Sequence, residues 1–177
     1  MTELQQWANF YVIASAAAAT LLGLLFVVIT LAAERGSKAT SSFRGQLNPQ
    51  LARIYLTPAV IYFCSVLLTS ALLTIPNQTR LSAIICICLH GITGLGYSGF
   101  LAIRRGAGSP SYQQRSDLFP YAVIPLGAYV LMVAGGLMLL PWPRIALDLV
   151  AASMLTLLGI AIRNSWAIAT TIISSQG

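Results

Sequence analysis

Acidic residues are scarce in this chain: Asp and Glu number four among 177 residues, against ten Lys and Arg, and only 8% of the sequence is charged. Soluble domains carry about a quarter charged residues. Hydrophobic residues make up 57% of the chain and fall in several long runs. Such runs satisfy their backbone hydrogen bonds inside a bilayer by forming helices. The composition therefore excludes an ordinary water-soluble domain and predicts an all-α, polytopic membrane protein.

Histidine and cysteine are also rare, with one His and three Cys. Cys86 and Cys88 lie two apart on a predicted helix and point about 200° from each other, so they cannot hold one ion. A haem would usually need a second strong axial ligand beside His90. The sequence also lacks a phosphate loop, a nucleophile–base pair and paired catalytic carboxylates. We therefore predict no metal, no cofactor and no enzymatic activity.

The apolar runs predict a bundle of five transmembrane helices with short loops, in a single domain covering residues 1–177. The spans are expected at about 8–32, 54–75, 81–103, 118–140 and 145–163, and Pro125 is expected to kink the fourth. The first run has no basic segment before it and is too long for a signal peptide, so it is expected to remain as a span. Residues 164–177 are expected to form an interfacial helical tail anchored by Trp166.

The basic residues predict the orientation of the bundle, because short loops rich in Lys and Arg stay in the cytoplasm. The second and fourth connections hold only Arg80 and Arg144. The first and third connections hold the larger set: Arg35, Lys38, Arg44, Arg53, Arg104, Arg105 and Arg115. The N-terminus is therefore predicted outside and the C-terminus in the cytoplasm.

The same placement of charge predicts the partners of the loops. Basic residues between apolar runs favour contact with anionic lipid headgroups and argue against nucleic-acid binding. The stretches FVVITLAAER and RNSW resemble segments of bacterial membrane proteins. That resemblance implies a multi-pass protein of the bacterial inner membrane.

The segment 81–103 is predicted to be an internal helix, because four glycines, two cysteines and the single histidine suit contact with protein better than contact with lipid. At helical spacing, His90 and Tyr97 share a polar face, while Gly91, Gly94 and Ser98 form a groove beside it. His90 lies about 13 Å deep, near the bilayer midplane, where an ionisable group is a functional hypothesis by default. A neutral histidine hydrogen-bonded to a hydroxyl is the favoured interpretation.

Other polar and small residues mark helix faces. Tyr62, Ser65 and Thr69 form a hydroxyl stripe on the second helix, and Tyr129 lies at mid-depth on the fourth. Helix-packing positions are expected at Ser15, Ala19, Gly23, Gly135, Gly136 and Gly159. The fifth helix is expected to turn inward a face composed of Asp148, Ala152, Thr156, Gly159 and Arg163. Ion pairs are expected between Glu34 and Arg163 and between Arg144 and Asp148.

Three classes of function are compatible with these features. The first is a structural or accessory subunit that packs against other membrane subunits or against itself. The second is a homo-oligomeric ion channel or small transporter, with a polar pathway near Tyr62, Ser65, Thr69 and His90. The third is a cofactor carrier or membrane enzyme centred on His90. The first requires only packing faces, interfacial aromatics and short loops, and it is the expectation we adopt.

Overall fold

Over residues 6–38, 56–106 and 123–174, which the computed structural model describes, the chain forms five α-helices and no strand. They are α1 (Ala8–Lys38), α2 (Thr57–Leu73), α3 (Arg80–Gly106), α4 (Ile124–Met138) and α5 (Pro143–Ser174). The prediction of an all-helical chain is confirmed for these residues. Three helices are long and apolar enough to cross a membrane: α1 over Ala8–Leu31, α3 over Arg80–Ile103 and α5 over Pro143–Ala167.

Several helix boundaries differ from the predicted ones. α1 continues through Lys38, although a loop was expected from Gly36, and α3 includes Arg104 and Arg105. A change from apolar to charged residues does not by itself end a helix, because Glu, Lys and Arg are good helix formers. By contrast, the helical continuation expected beyond residue 163 is confirmed as far as Ser174, because α5 passes through residue 164 without a break. The predicted tail therefore belongs, as far as Ser174, to the fifth helix.

Two prolines lie in first turns, where the missing N–H group has no intrahelical acceptor to lose. Pro58 follows the first residue of α2, and Pro125 follows the first residue of α4. Both side chains are buried. The kink or slight break expected at Pro125 is not tested, because α4 is described only from one residue before it. The predicted segment 118–122 lies outside the described residues.

Helices α2 to α5 form a closed ring in which each packs against the next and α5 packs back against α2. Short turns join α2 to α3 and α4 to α5, so consecutive helices run antiparallel. In the turn that joins α2 to α3, Asn77 adopts a φ of 57°, the left-handed conformation that asparagine tolerates better than most residues. α1 lies outside the ring, against α2 and α5, and runs parallel to α5.

The expectation that the third helix is internal is wrong. Only 22% of the α3 span is buried, whereas 50% of the α5 span is buried. The outward face of α3 carries a continuous row of large apolar side chains: Leu81, Ile85, Leu89, Ile92, Phe100 and Ile103. Its small residues need only one close neighbour, which is α4. α5 is therefore more enclosed by protein than α3.

Candidate functional site

Four residues predicted as polar candidates meet inside the ring, where α2, α3 and α4 converge. Ser65 and Thr69 come from α2, His90 from α3 and Tyr129 from α4. We call these four residues the polar cluster. Tyr129 is fully buried, and Ser65 and Thr69 are 5% and 1% exposed. Three of the four candidates are therefore buried in the interior of the bundle, and His90 lies half-buried beside them.

The shortest contact between helices in the polar cluster joins Ser65 and Tyr129. Ser65 Oγ and Tyr129 Oη lie 2.7 Å apart, and either hydroxyl can donate. Thr69 Oγ1 donates to the Ser65 carbonyl oxygen at 2.8 Å and lies 4.0 Å from Met132 Sδ. Thr69 uses its proton within α2, whereas the bond between Ser65 and Tyr129 connects α2 to α4.

His90 completes the polar cluster from α3. Its ring stands edge-to-face with the Tyr129 ring, with centroids 6.4 Å apart and planes at 75°, and it interacts with the backbone of Ser65. Its Nε2 atom is buried and has no hydrogen-bond partner among the described residues. Tyr97, on the same helix, interacts electrostatically with Tyr129. The cluster thus joins one imidazole to a chain of neutral hydroxyls.

Glycines allow α3 and α4 to pack closely against each other. A Cβ built on Gly94 would lie within 3.0 Å of Tyr129 Cδ1, Cε1 and Cζ, and one on Gly91 would lie 2.6 Å from Val133 Cγ2. The Tyr129 ring therefore rests directly on the backbone of α3. Further along the same interface, a Cβ on Gly136 would lie 2.7 Å from Cys88 Sγ. Any larger residue at these positions would push the two helices apart.

The interface of α4 with α5 is equally close at Gly135. A Cβ there would lie 2.8 Å from the Ala146 carbonyl oxygen and 2.8 Å from Val150 Cγ2. Two further candidates are buried near the polar cluster: Tyr62, which precedes Ser65 by three residues on α2, and Ser98, which follows Gly94 by four on α3. Ser98 Oγ has no hydrogen-bond partner within the described part of the chain.

The predicted packing face of α1 is wrong for contacts within the chain. The buried row is Tyr11, Ala14, Ala18 and Leu25, whereas Ala19 and Gly23 are exposed, Ser15 is half-buried, and a Cβ on Gly23 would meet nothing within 4 Å. Both rows are apolar with helical spacing, so their sequence patterns are equivalent. The structure selects the row headed by Tyr11, whose ring packs with Trp7 and Phe10.

The predicted inward face of α5 points outward. Asp148, Ala152, Gly159 and Arg163 are exposed, Thr156 is half-buried, and a Cβ on Gly159 would meet nothing within 4 Å. The buried face carries larger apolar residues together with Ser153 and Asn164, which are 0% and 1% exposed. Sequence reasoning missed Asn164, although it lies three residues beyond Ala161 and continues the helical spacing of that face.

The predicted ion pairs remain predictions. The Glu34 side chain lies outside the described residues, so its pairing with Arg163 is not tested. Arg144 and Asp148 are both exposed near the start of α5. Asp148 also interacts electrostatically with Tyr11 near the start of α1. This interaction brings the first turns of α1 and α5 to the same end of the bundle.

The polar cluster has limited chemical capacity. Its hydroxyls are neutral, no carboxylate is assigned to it, and the described residues contain no group of three His, Cys, Asp or Glu side chains that could hold a metal ion. Comparisons of this chain with protein families, with curated proteins and with solved structures find no match. The arrangement suits a buried hydrogen-bonded link between helices.

We expect the bond between Ser65 and Tyr129 to stabilise the bundle by about 1 kcal/mol, the usual net value for such a bond, including within membranes. Ser65→Ala and Tyr129→Phe should each lower the free energy of unfolding by about that amount, and the double variant should cost little more than either single change. Unfolding of the purified protein in mixed micelles with increasing denaturing detergent measures these differences.

Ser165→Ala is the matched control for this cycle. Ser165 Oγ donates to the Ala161 carbonyl oxygen of its own helix at 2.8 Å, so its loss should change stability little. Fully additive effects of Ser65→Ala and Tyr129→Phe would show that the two hydroxyls do not stabilise each other.

Proposed function

We propose that this chain is a non-enzymatic accessory or structural subunit of a larger membrane assembly and crosses the bilayer five times. The observation that carries the proposal is a set of glycines in helices with nothing near them. A Cβ built on any of the following would meet nothing within 4 Å: Gly23, Gly96, Gly99, Gly127 and Gly159. Glycine costs a helix up to about 1 kcal/mol relative to alanine.

Outward glycines therefore give the isolated chain no packing benefit. In membrane helices, small residues let the backbone of another helix approach closely. α1 adds to this surface, because only 17% of its span is buried. These outward faces supply more packing surface than the ring of α2 to α5 uses, which supports contact with other subunits.

Five crossings are supported by the packing of the two shorter helices. α2 and α4 contain 17 and 15 residues, or roughly 25 and 22 Å at 1.5 Å per residue, against a hydrocarbon core of about 30 Å. Both are apolar and pack antiparallel to helices long enough to span. The predicted spans 54–75 and 118–140 both begin in residues that lie outside the described part of the chain.

The burial of the polar cluster bears on the channel alternative. A pathway along Tyr62, Ser65 and Thr69 would need these side chains to face water, whereas each is at most 5% exposed. Met132 and Leu157 are also fully buried in the interior of the bundle. We therefore place the role of the chain at its outer faces.

The assembly is tested by isolating the tagged chain from its native membrane in mild detergent. We expect it to migrate in a complex with other subunits at fixed stoichiometry. Gly159→Leu should reduce recovery of that complex at least tenfold, since leucine on an outward contact face blocks close approach, and should leave the thermal stability of the isolated chain unchanged.

Leu155→Ile is the control, because it alters the outward side of the same helix without changing side-chain volume. Recovery of a monomer or of a homo-oligomer alone would contradict the proposal. Selective ion flux through liposomes containing the purified chain would favour the channel.

The proposed orientation places the N-terminus outside and the C-terminus in the cytoplasm, because seven basic residues lie between the apolar parts of α1 and α2 and of α3 and α4. Single cysteines introduced at Ser42 and Ser109, in a chain whose native cysteines are replaced by alanine, should be protected from a membrane-impermeant thiol reagent in intact cells. Permeabilised cells provide the control, in which both should react. Labelling of both positions in intact cells would show that the orientation is the opposite of the proposed one.

A further inference from the structure

An apolar groove opens between α1 and α5, outside the polar cluster. Leu21, Leu25 and Val28 line it from α1, Ile162 and Trp166 line it from α5, and Phe63 of α2 also contributes. Leu25 and Phe63 are buried, whereas Trp166 is 70% exposed. The volume of the groove is about 220 Å³. For comparison, an engineered apolar cavity of about 150 Å³ is enough to bind benzene.

The lining of the groove favours an apolar occupant. Among its lining residues the one hydroxyl belongs to Ser165, and that hydroxyl already donates to the Ala161 carbonyl oxygen at 2.8 Å. Apart from the indole N–H of Trp166 at the shallow end, the lining therefore offers an occupant no side-chain hydrogen bond. The stabilisation of the occupant would come from burying hydrocarbon against aliphatic and aromatic side chains.

The depth of the groove matches one leaflet of a bilayer. It begins at Leu21, and the membrane-spanning part of α1 ends at Leu31. Ten residues at 1.5 Å per residue cover about 15 Å, half of a hydrocarbon core of about 30 Å. Trp166 lies at the shallow end, one residue before the end of the α5 span at Ala167, the level at which tryptophan meets lipid headgroups.

Charge at the shallow end indicates the headgroup. Arg163 is exposed on α5, one turn before the end of the span, and its long side chain can extend to the interface. The final turns of α1 at the same end contain Arg35 and Lys38 against a single acid, Glu34. An apolar groove with the exposed side chain of Arg163 beside it fits an anionic phospholipid.

We propose that the groove between α1 and α5 binds an acyl chain of an anionic phospholipid, whose headgroup is held beside Arg163. This binding is independent of the proposed role in an assembly, since the groove is a feature of the single chain. One basic residue near a lipid headgroup contributes about 1 kcal/mol, which corresponds to about a fivefold preference for the anionic lipid.

Trp166 provides a direct reporter of occupancy. The full-length Trp7→Phe/Trp142→Phe variant retains Trp166 as its single tryptophan. It is placed in phosphatidylcholine vesicles to which one of two lipids with brominated acyl chains is added. One is brominated phosphatidylglycerol and the other is brominated phosphatidylcholine, and in both the bromine quenches nearby tryptophan fluorescence. We expect half-maximal quenching at about a fivefold lower fraction of brominated phosphatidylglycerol than of brominated phosphatidylcholine.

Two variants in this background separate the headgroup from the acyl chain. In the Arg163→Gln variant, the fractions of brominated phosphatidylglycerol and brominated phosphatidylcholine that give half-maximal quenching should lie within twofold of each other. Ala169→Phe places a ring inside the groove and should weaken quenching by both lipids, whereas Ala152→Phe, on the outward face of α5, should not. Circular dichroism and a single peak in size-exclusion chromatography confirm that each variant is folded.

If both brominated lipids gave half-maximal quenching of the parent protein at the same lipid fraction, the headgroup assignment would be overturned, and with it the proposal. Absence of quenching by either lipid would also overturn it and would indicate that protein covers the groove. Unchanged quenching in the folded Ala169→Phe variant would show that the bound chain lies elsewhere.

Discussion

Gly94→Ala is expected to lower the free energy of unfolding by about 3 kcal/mol, the upper part of the usual range for overpacking a well-packed interior. The new methyl group would lie within 3.0 Å of three atoms of the Tyr129 ring. The ring cannot swing away freely, because its hydroxyl is hydrogen-bonded to Ser65 at 2.7 Å. Unfolding of the purified protein in mixed micelles measures the effect.

Gly96→Ala is the matched control on the same helix. Gly96 faces open space, and alanine favours the helix by up to about 1 kcal/mol over glycine. The control should therefore be as stable as the parent or slightly more stable. Equal losses at Gly94 and Gly96 would mean that the close contact of α3 with Tyr129 does not exist.

Gly135→Ala is expected to cost about 2 to 3 kcal/mol for a different reason. Its nearest neighbour is the backbone carbonyl oxygen of Ala146, at 2.8 Å from the added Cβ. A backbone atom in a buried helix cannot change rotamer, so α4 and α5 would have to separate. Because this is the most extensive helix pair among the described residues, the effect should appear as a lower temperature of thermal unfolding than that of the parent protein.

Gly127→Ala serves as the control within α4, since Gly127 also faces open space. It should unfold at the temperature of the parent protein or slightly above it. A Gly135→Ala protein as stable as Gly127→Ala would show that α4 and α5 are farther apart than described.

The sequence was most informative where the two sides of a helix differ in chemistry. On α3, large aliphatic residues occupy one side and Gly91, Gly94 and His90 lie away from them, so the side that faces protein could be predicted. The hydroxyls of α2 identify an inward face in the same way, because lipid offers no hydrogen bond. The convergence of Ser65, Thr69, His90 and Tyr129 follows from these contrasts.

The faces of α1 and α5 could not be predicted by the same reasoning. In water, apolar side chains identify the buried side of a helix, but in a bilayer lipid is as apolar as leucine and this contrast is lost. The rows headed by Tyr11 and by Ser15 on α1 both satisfy helical packing spacing. A small-residue row can serve a contact within the chain or with another chain, and only tertiary structure distinguishes the two.

The position of α3 was misjudged for a related reason. Glycines and a histidine indicate that a helix has a protein neighbour, but they do not indicate how many. One close partner, α4, accounts for Gly91 and Gly94. A helix that is enclosed by neighbours, as α5 is, can instead be built from ordinary residues such as Leu147, Met154 and Leu157.

The unbroken length of α5 has a mechanical consequence. With 32 residues it is about 48 Å long, more than the roughly 40 to 45 Å of a whole bilayer including its headgroups. α1, with 31 residues, is almost as long and ends on the same side. In a bilayer, two parallel helices of this length would either tilt together or project from the membrane surface together. A protein domain bound to the ends of α1 and α5 would therefore move whenever the bundle tilts.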